Sequence, residues 1–220
     1  MDTTQINREL IISSDVSEVN IVLLEDGQLV EYHKEQKNNS ISVGDVYFGR
    51  IKKMLPGLNS AFVDIGCRKD AFLHYLDLGP QIKSLKKFTK LAVEGHTSQL
   101  GLDSFELEKD IDKNGKITDF ISVGERIPVQ IAKEPISTKG PKVTSDISFA
   151  GHYLVLVPFS NKISISQKIK SVEERNRLRR LMQSIRPANF GVIVRTNAEG
   201  RSVAELDSDL RTLIDSWTTM

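Results

Sequence analysis

The sequence predicts an α+β chain built around a small, partly closed β-barrel. Three observations carry that expectation. Gly44, Gly49, Gly57 and Gly66 punctuate short strand-like runs between Val43 and Leu78, strand-like alternation returns at Gly124–Lys133, and the last ninety or so residues alternate apolar strands with two capped amphipathic helices. At 220 residues the chain has room for one large domain or two to three small ones. Hydrophobic residues at 39% and charged residues at 27% support a packed core and argue against disorder. Thirty Lys and Arg against 29 Asp and Glu exclude a polycation, so any nucleic-acid surface must come from local charge. The single cysteine, Cys67, excludes an internal disulfide and a Cys-rich zinc site. No apolar run approaches the roughly 20 residues of a membrane span, and Met1-Asp2-Thr3-Thr4 lacks the start of a secretory leader. A soluble, cytoplasmic protein with no membrane partner is expected.

Taken in order, Leu10–Ser13, Ile21–Leu24 and Leu29–Tyr32 read as strands, with Asp26-Gly27 as a hairpin turn between the last two. Residues 34–40 read as a polar linker. Strands of a barrel follow to about residue 78. Residues 79–120 carry a basic stretch (Lys83, Lys86, Lys87, Lys90) and then an acidic one (Asp103, Glu106, Glu108, Asp110, Asp112). They are expected to form a long insertion, partly helical and mobile. Tyr153–Val157 is a buried-strand run ended by Pro158. Ser171–Glu174 and Ser202–Glu205 are capping-box sequences. Apolar stripes follow each box: Val172, Leu178, Leu181, Met182 and Ile185 after the first, and Val203, Leu206, Leu210, Ile214 and Trp217 after the second. The second helix shows no stop signal before Met220, which reads as a boundary inside a longer protein.

Candidate binding residues fall in three segments. In residues 43–78, Phe62 and Phe72 suit a stacking platform for bases, while Lys52, Lys53, Arg68 and Lys69 suit a phosphate backbone. Taken alone, the two phenylalanines fit barrel core at least as well. Lys139-Gly140-Pro141 and the run Ser148–Pro158 form the second segment. The third is Gly191–Thr196 with Glu199-Gly200, where Arg195-Thr196 leaves a strand with a bidentate guanidinium and a hydroxyl suited to phosphate. Backbone N–H groups near Gly151 are expected to complete such a pocket. On chemistry alone, Arg195 fits a solvated strand-end charge at least as well. Residues 160–186 add eight basic against two acidic side chains, consistent either with a face toward RNA or with a solvated helix.

The entry Val43-Gly44-Asp45, Gly49, the strand Phe62-Val63-Asp64, the strand Ala71-Phe72-Leu73-His74 and the later Val129-Gln130-Ile131 resemble the ribosomal S1-type RNA-binding domain, with the last as its closing strand. Adding Lys139-Gly140-Pro141, Ala150-Gly151 with Tyr153–Pro158, the basic capped helix and Val192–Thr196 with Glu199-Gly200, the whole chain resembles the N-terminal region of the bacterial ribonuclease E/G family, in its shorter ribonuclease G type. That resemblance implies an S1-type (OB-fold) β-barrel inserted after the first strands of a partial ribonuclease-H-like subdomain, followed by an α/β 5′-sensor subdomain. The implied boundaries are 1–40, 41–134 with the insertion at about 79–120, and 135–220. It implies RNA contacts for Phe62, Phe72 and Lys139, and 5′-monophosphate contacts for Gly151, Val155, Arg195 and Thr196. A lysine often found before the glycine of the first barrel strand is Phe48 in this sequence. The family cleaves single-stranded RNA, in rRNA maturation and mRNA decay, with a magnesium ion held by an aspartate pair in a later domain, and assembles through zinc held by cysteines later still. The resemblance therefore implies no catalytic residue, no metal and no cofactor in this chain, with single-stranded 5′-monophosphorylated RNA as the partner. It also implies a homo-oligomer for the longer enzyme and a possible monomer for this region alone.

A stand-alone S1-type RNA-binding adaptor without nuclease activity is the alternative from another class. Two acidic patterns are weaker. Asp110-Ile-Asp112-Lys-Asn114-Gly115 follows an EF-hand loop, but its twelfth position is Ile121, where a bidentate glutamate belongs. Asn114-Gly115 reads better as a turn between a charged helix and the next strand. Asp207 and Asp209 sit two apart on a helix, face different ways and read as solvated.

Overall fold

A computed structural model describes residues 6–36, 41–95, 101–136 and 139–220. It divides into two compact units, Met1–Ile41 and Ser42–Met220.

The first unit is an antiparallel meander of β1 (Arg8–Ser14), β2 (Glu18–Glu25) and β3 (Gln28–Gln36), with β2 in the middle. Asp26 and Gly27 both take positive φ, 49° and 75°, which is the turn geometry that matches the twist of paired strands. Asp15 opens the other turn by accepting the N–H groups of Ser17 and Glu18 at 2.7 and 2.8 Å. The sheet leaves Leu10, Ile12, Leu29 and Val30 exposed.

The second unit opens with a closed five-stranded barrel of OB-like type. Its strands are β4 (Val46–Leu55), β5 (Ser60–Asp64), β6 (Ala71–His74), β7 (Arg126–Lys133) and β8 (Lys142–Thr144), in the ring order β4-β5-β6-β8-β7. Period-two alternation sends Ile51, Ala61, Val63, Ala71, Leu73, Ile127, Val129, Ile131 and Val143 inward, where all are essentially buried. Gly49 gives the core its closest approach, because a Cβ there would lie 2.5 Å from Val63 Cγ1. The barrel is closed rather than partly closed. The strand that seals it is β8, not the Val129–Ile131 strand: β8 pairs parallel with β6 and antiparallel with β7. Three residues are too few to show a period, so this strand is invisible in the sequence.

The insertion is more fixed than its composition predicts. A helix, α1 (Ile82–Val93), takes the basic stretch, while Phe105–Lys116 is irregular rather than helical. Leu102, Phe105 and Ile117 are nonetheless buried. Asn59, in the left-handed region, donates its side-chain N–H to Gly115 O at 3.0 Å and accepts the Ile117 N–H at 2.7 Å. Lys87 pairs with Glu108 at 2.7 Å, so part of the basic charge is answered by the acidic stretch. Residues 96–100 of the insertion lie outside the described residues.

The chain then forms a four-stranded sheet of β9 (Phe149–Ala150), β10 (Leu154–Pro158), β11 (Ile163–Ile165) and β12 (Phe190–Val194), ordered β11-β12-β10-β9. The β11 and β12 strands run parallel and are joined by α2 (Val172–Ile185), while α3 (Val203–Thr218) packs against β9 and β10. Ser202 and Glu205 form the full reciprocal capping box of α3. Ser171 caps α2 from one side only, since the Glu174 carboxylate is engaged elsewhere. The leading stripe residues Val172 and Val203 are exposed, and Leu213 rather than Ile214 is the buried residue of α3's third turn. Trp217 meets Phe88, Phe149, Phe159 and Phe190 in one aromatic cluster, with ring centroids 5.5 to 6.3 Å apart. No helix among the described residues is long and apolar enough to cross a membrane.

Candidate nucleic-acid interface

Phe62 and Phe72 stand directly opposite one another on β5 and β6, edge to face at 6.1 Å between centroids. Their neighbours along each strand, Ala61, Val63, Ala71 and Leu73, fill the barrel, so both rings lie on its outer face, half-buried. This corrects the core alternative. Cross-strand pairing extends the row at both ends, because Lys53 on β4 faces Phe62 and Lys142 on β8 faces Phe72. Lys133 on β7 follows Lys142. A β-bulge at Lys52 sets this register and leaves Lys52 to pair with Asp70 at 2.9 Å. Lys142 is paired with Asp77 at 2.8 Å, which moderates its closeness to Lys133. The result is two aromatic rings bracketed by lysines, on neighbouring strands roughly 5 Å apart.

Lys139 is exposed on the loop that enters β8. Two residues later the Pro141 carbonyl accepts the Phe72 N–H at 2.8 Å, so the loop lies alongside the aromatic row. Phe48 is 47% exposed on β4. It lines a largely apolar groove of about 660 Å³ with Leu85, Phe88, Val93, Pro128 and Trp217, which contains no cationic side chain for a phosphate among the described residues.

A second cluster forms at one end of the four-stranded sheet, where the parallel strands β11 and β12 both finish. Arg195 and Thr196 leave β12 exposed. The Arg195 guanidinium donates to the Gly151 carbonyl, and its backbone N–H donates to Tyr153 O at 2.8 Å. Thr196 Oγ1 is 2.9 Å from Ser166 Oγ, just past β11. The Ser166 turn is fixed by Arg175, whose Nη1 donates to the Ser166 and Ile169 carbonyls at 2.8 and 3.2 Å. Lys168 and Lys170, both exposed, follow on the same turn. Gly151, Arg195 and Thr196 therefore converge. Val155 lies inside the ladder, opposite Ala150 on one side and Ile193 on the other. The backbone N–H groups expected to be open near Gly151 are engaged: Gly151 N–H donates to Leu154 O at 2.8 Å, and those of His152, Tyr153 and Leu154 donate to Asp209. The Asp209 carboxylate is thus engaged by main chain rather than free in solvent, whereas Asp207 pairs with Arg211.

Sequence reasoning missed Ser166, and read Asp209 as a solvated carboxylate and Glu174 only as part of a capping box. Glu174 takes Arg177 bidentately at 2.7 Å and accepts the Gly200 N–H at 2.9 Å, stapling the turn after Thr196 to the start of α2. The Arg177 guanidinium and the Gly200 N–H hold its carboxyl at about 2, well below the ordinary 4.5. A carboxylate depressed on folding contributes stability that is present above the ordinary value and lost as pH falls through the folded one. Melting temperature is therefore expected to fall between about pH 5 and pH 2, and Glu174→Gln to flatten that decline while lowering the melting point near neutrality. A wild-type pH profile that the variant reproduces would remove this staple from the account.

In the EF-hand-like stretch, Ile121 is buried and Asp112 Oδ1 accepts the Asn114 N–H at 2.8 Å, the geometry of a turn. Among the described residues, no three or more His, Cys, Asp or Glu side chains are grouped to hold a metal ion.

A mixed α+β chain carrying a closed OB-like barrel, with a βαβ sheet beside it, is the class these elements define. Residues 148–220 match the model of the Ribonuclease E/G family. The chain is 36% identical over 209 residues to ribonuclease G of Haemophilus influenzae, covering 95% of this chain and 39% of that protein. It is 35% identical over 210 residues to ribonuclease G of Escherichia coli, covering 96% and 39%. It is also 33% identical over 205 residues to ribonuclease E of a Nostoc species, covering 90% and 26%. The chain belongs to the ribonuclease E/G family. It spans 39% of the length of the ribonuclease G proteins it matches.

Proposed function

We propose that this chain is the RNA-binding and 5′-end-sensing portion of a ribonuclease G-like endoribonuclease that acts on single-stranded RNA in rRNA maturation and mRNA decay. The observation that carries the proposal is the outward row Lys53–Phe62–Phe72–Lys142 on the barrel. Rings between cations suit successive bases on a charged backbone without demanding a sequence. Lys139 extends the cationic track. At the sheet end, Arg195 and Thr196 hold a 5′-monophosphate, Ser166 supplies a second hydroxyl, and Gly151 on the turn and Val155 on the adjoining strand β10 flank them. Hydrolysis with its magnesium, and zinc-linked assembly, belong to the part of the relatives' length that this chain does not span, so the chain alone does not cleave RNA. The cytoplasm is the compartment this role requires.

The test is binding of one short single-stranded RNA, bearing a 5′-monophosphate or a 5′-hydroxyl, at two salt concentrations. Salt-sensitive binding with preference for the phosphate supports both halves of the proposal. Equal binding removes end sensing and leaves an RNA-binding barrel, and no binding of either RNA sinks it. In Arg195→Ala the preference is expected to fall by roughly tenfold, the worth of charge-assisted hydrogen bonds to phosphate. Affinity for the 5′-hydroxyl RNA is expected to stay unchanged.

A further inference from the structure

Asp209 projects from α3 toward the turn that precedes β10. Its Oδ1 accepts the His152 N–H at 3.0 Å, and its Oδ2 accepts those of Tyr153 and Leu154 at 3.0 and 2.9 Å. Three successive N–H groups converging on one carboxylate make an anion nest that the chain fills itself. Gly151 is fitted to this arrangement. A Cβ there would lie 2.7 Å from Oδ2, 2.8 Å from Oδ1 and 2.9 Å from Cγ of Asp209, so the bare Cα is what lets the carboxylate approach.

The same turn holds Arg195 from its other side. A trans peptide points its C=O and N–H in opposite directions. The peptide joining Gly151 to His152 gives its N–H to Asp209 and its C=O to the Arg195 guanidinium. The peptide joining Tyr153 to Leu154 gives its N–H to Asp209 and its C=O to the Arg195 backbone N–H. Two peptide planes are thereby aligned between a fixed anion and a cation, and each hydrogen bond polarises the next.

We propose that Asp209 is the positioning residue for Arg195, orienting these two peptide planes so that the guanidinium is anchored through Nη1 and presents its remaining N–H groups to the terminal phosphate. The inference rests on the 5′-end-sensing role proposed above. It also assigns the need for glycine at 151 to the approach of Asp209 rather than to the phosphate.

The test compares wild type, Asp209→Asn and Gly151→Ala for binding of the same short RNA with 5′-monophosphate or 5′-hydroxyl, alongside ¹⁵N-resolved NMR of the 152–154 amides and of Arg195 Nε–H without RNA. Asparagine keeps the shape but turns an amide donor toward three donors. Alanine at 151 displaces the carboxylate without removing it. Both variants are expected to lower the phosphate preference by roughly tenfold, with 5′-hydroxyl binding unchanged, and to shift the 152–154 amide and Arg195 signals. A wild type that discriminates while both variants discriminate equally well overturns the positioning role and leaves end sensing intact. A wild type that does not discriminate overturns end sensing. Positioning is then decided by NMR, standing if the Arg195 signal moves in both variants and falling if it stays. A general loss of structure in Asp209→Asn, with a folded Gly151→Ala that still prefers the phosphate, also overturns it.

Discussion

Replacing Phe62 and Phe72 together by alanine is expected to weaken binding of short single-stranded RNA by at least tenfold, since each base–aromatic stack is worth about 1–3 kcal/mol. The loss should fall on RNA with a 5′-phosphate and RNA with a 5′-hydroxyl alike, because the rings lie on the barrel and not at the sheet end. The slope of affinity against salt should hardly change, because the flanking Lys53, Lys133, Lys139 and Lys142 remain. Folding should suffer little, since both rings are half-exposed and the barrel is filled by Ala61, Val63, Ala71 and Leu73 beneath them. Titration of a labelled oligonucleotide into both proteins, with melting curves alongside, checks all of this. An affinity within roughly twofold of wild type in a folded variant would show that RNA does not lie on this row.

The parts legible in the sequence are those whose cause is local. Asp26-Gly27 announces its turn because few residues tolerate two consecutive positive φ values. Ser202 and Glu205 announce α3 because the cap partners are three residues apart. The barrel strands β4 to β7 show their alternation over four to ten residues, but which of the two faces is the core is settled only by the closed barrel, which buries Ala61 and Leu73 and leaves Phe62 and Phe72 outside. What was not legible depends on partners far apart in the chain. Leu102, Phe105 and Ile117 have no common period, yet they are buried with the help of Asn59 and of Asn189, which donates to the Leu102 and Phe105 carbonyls at 2.8 and 2.6 Å. Asp209 meets backbone N–H groups 55 to 57 residues away, and a carboxylate on a helix that bonds main chain rather than a cation leaves no charge pattern to find. At the candidate sites, Ser166 left no signal in the sequence, and Glu174 and Asp209 were legible only as a cap residue and a helix carboxylate, not as the groups that hold the neighbouring loops in place.

Trp217→Ala is expected to cost about 3–5 kcal/mol of stability, the range for removing a buried tryptophan or phenylalanine side chain. Trp217 is only 8% exposed and touches rings from several elements: Phe88 of α1, Phe149 of β9, Phe159 after β10 and Phe190 of β12. Phe88 and Phe159 also meet Phe105 of the insertion, at 5.5 and 5.9 Å, so one indole holds together the insertion, α1 and the four-stranded sheet. An alanine leaves a cavity that rings anchored on separate elements cannot collapse into, which places the cost in the upper part of that range. Trp217→Phe keeps most of the contact and should recover more than half of the loss. Chemical denaturation of the three proteins measures these differences directly. If Trp217→Ala costs less than about 1 kcal/mol, the aromatic cluster does not join these elements in solution. The variant also separates the two proposed RNA contacts. The barrel core contains none of these rings, so 5′-hydroxyl RNA should bind as tightly as to wild type wherever the variant is folded. The preference for a 5′-monophosphate depends on α3 holding Asp209 against the Gly151 turn, and should weaken as that helix loosens.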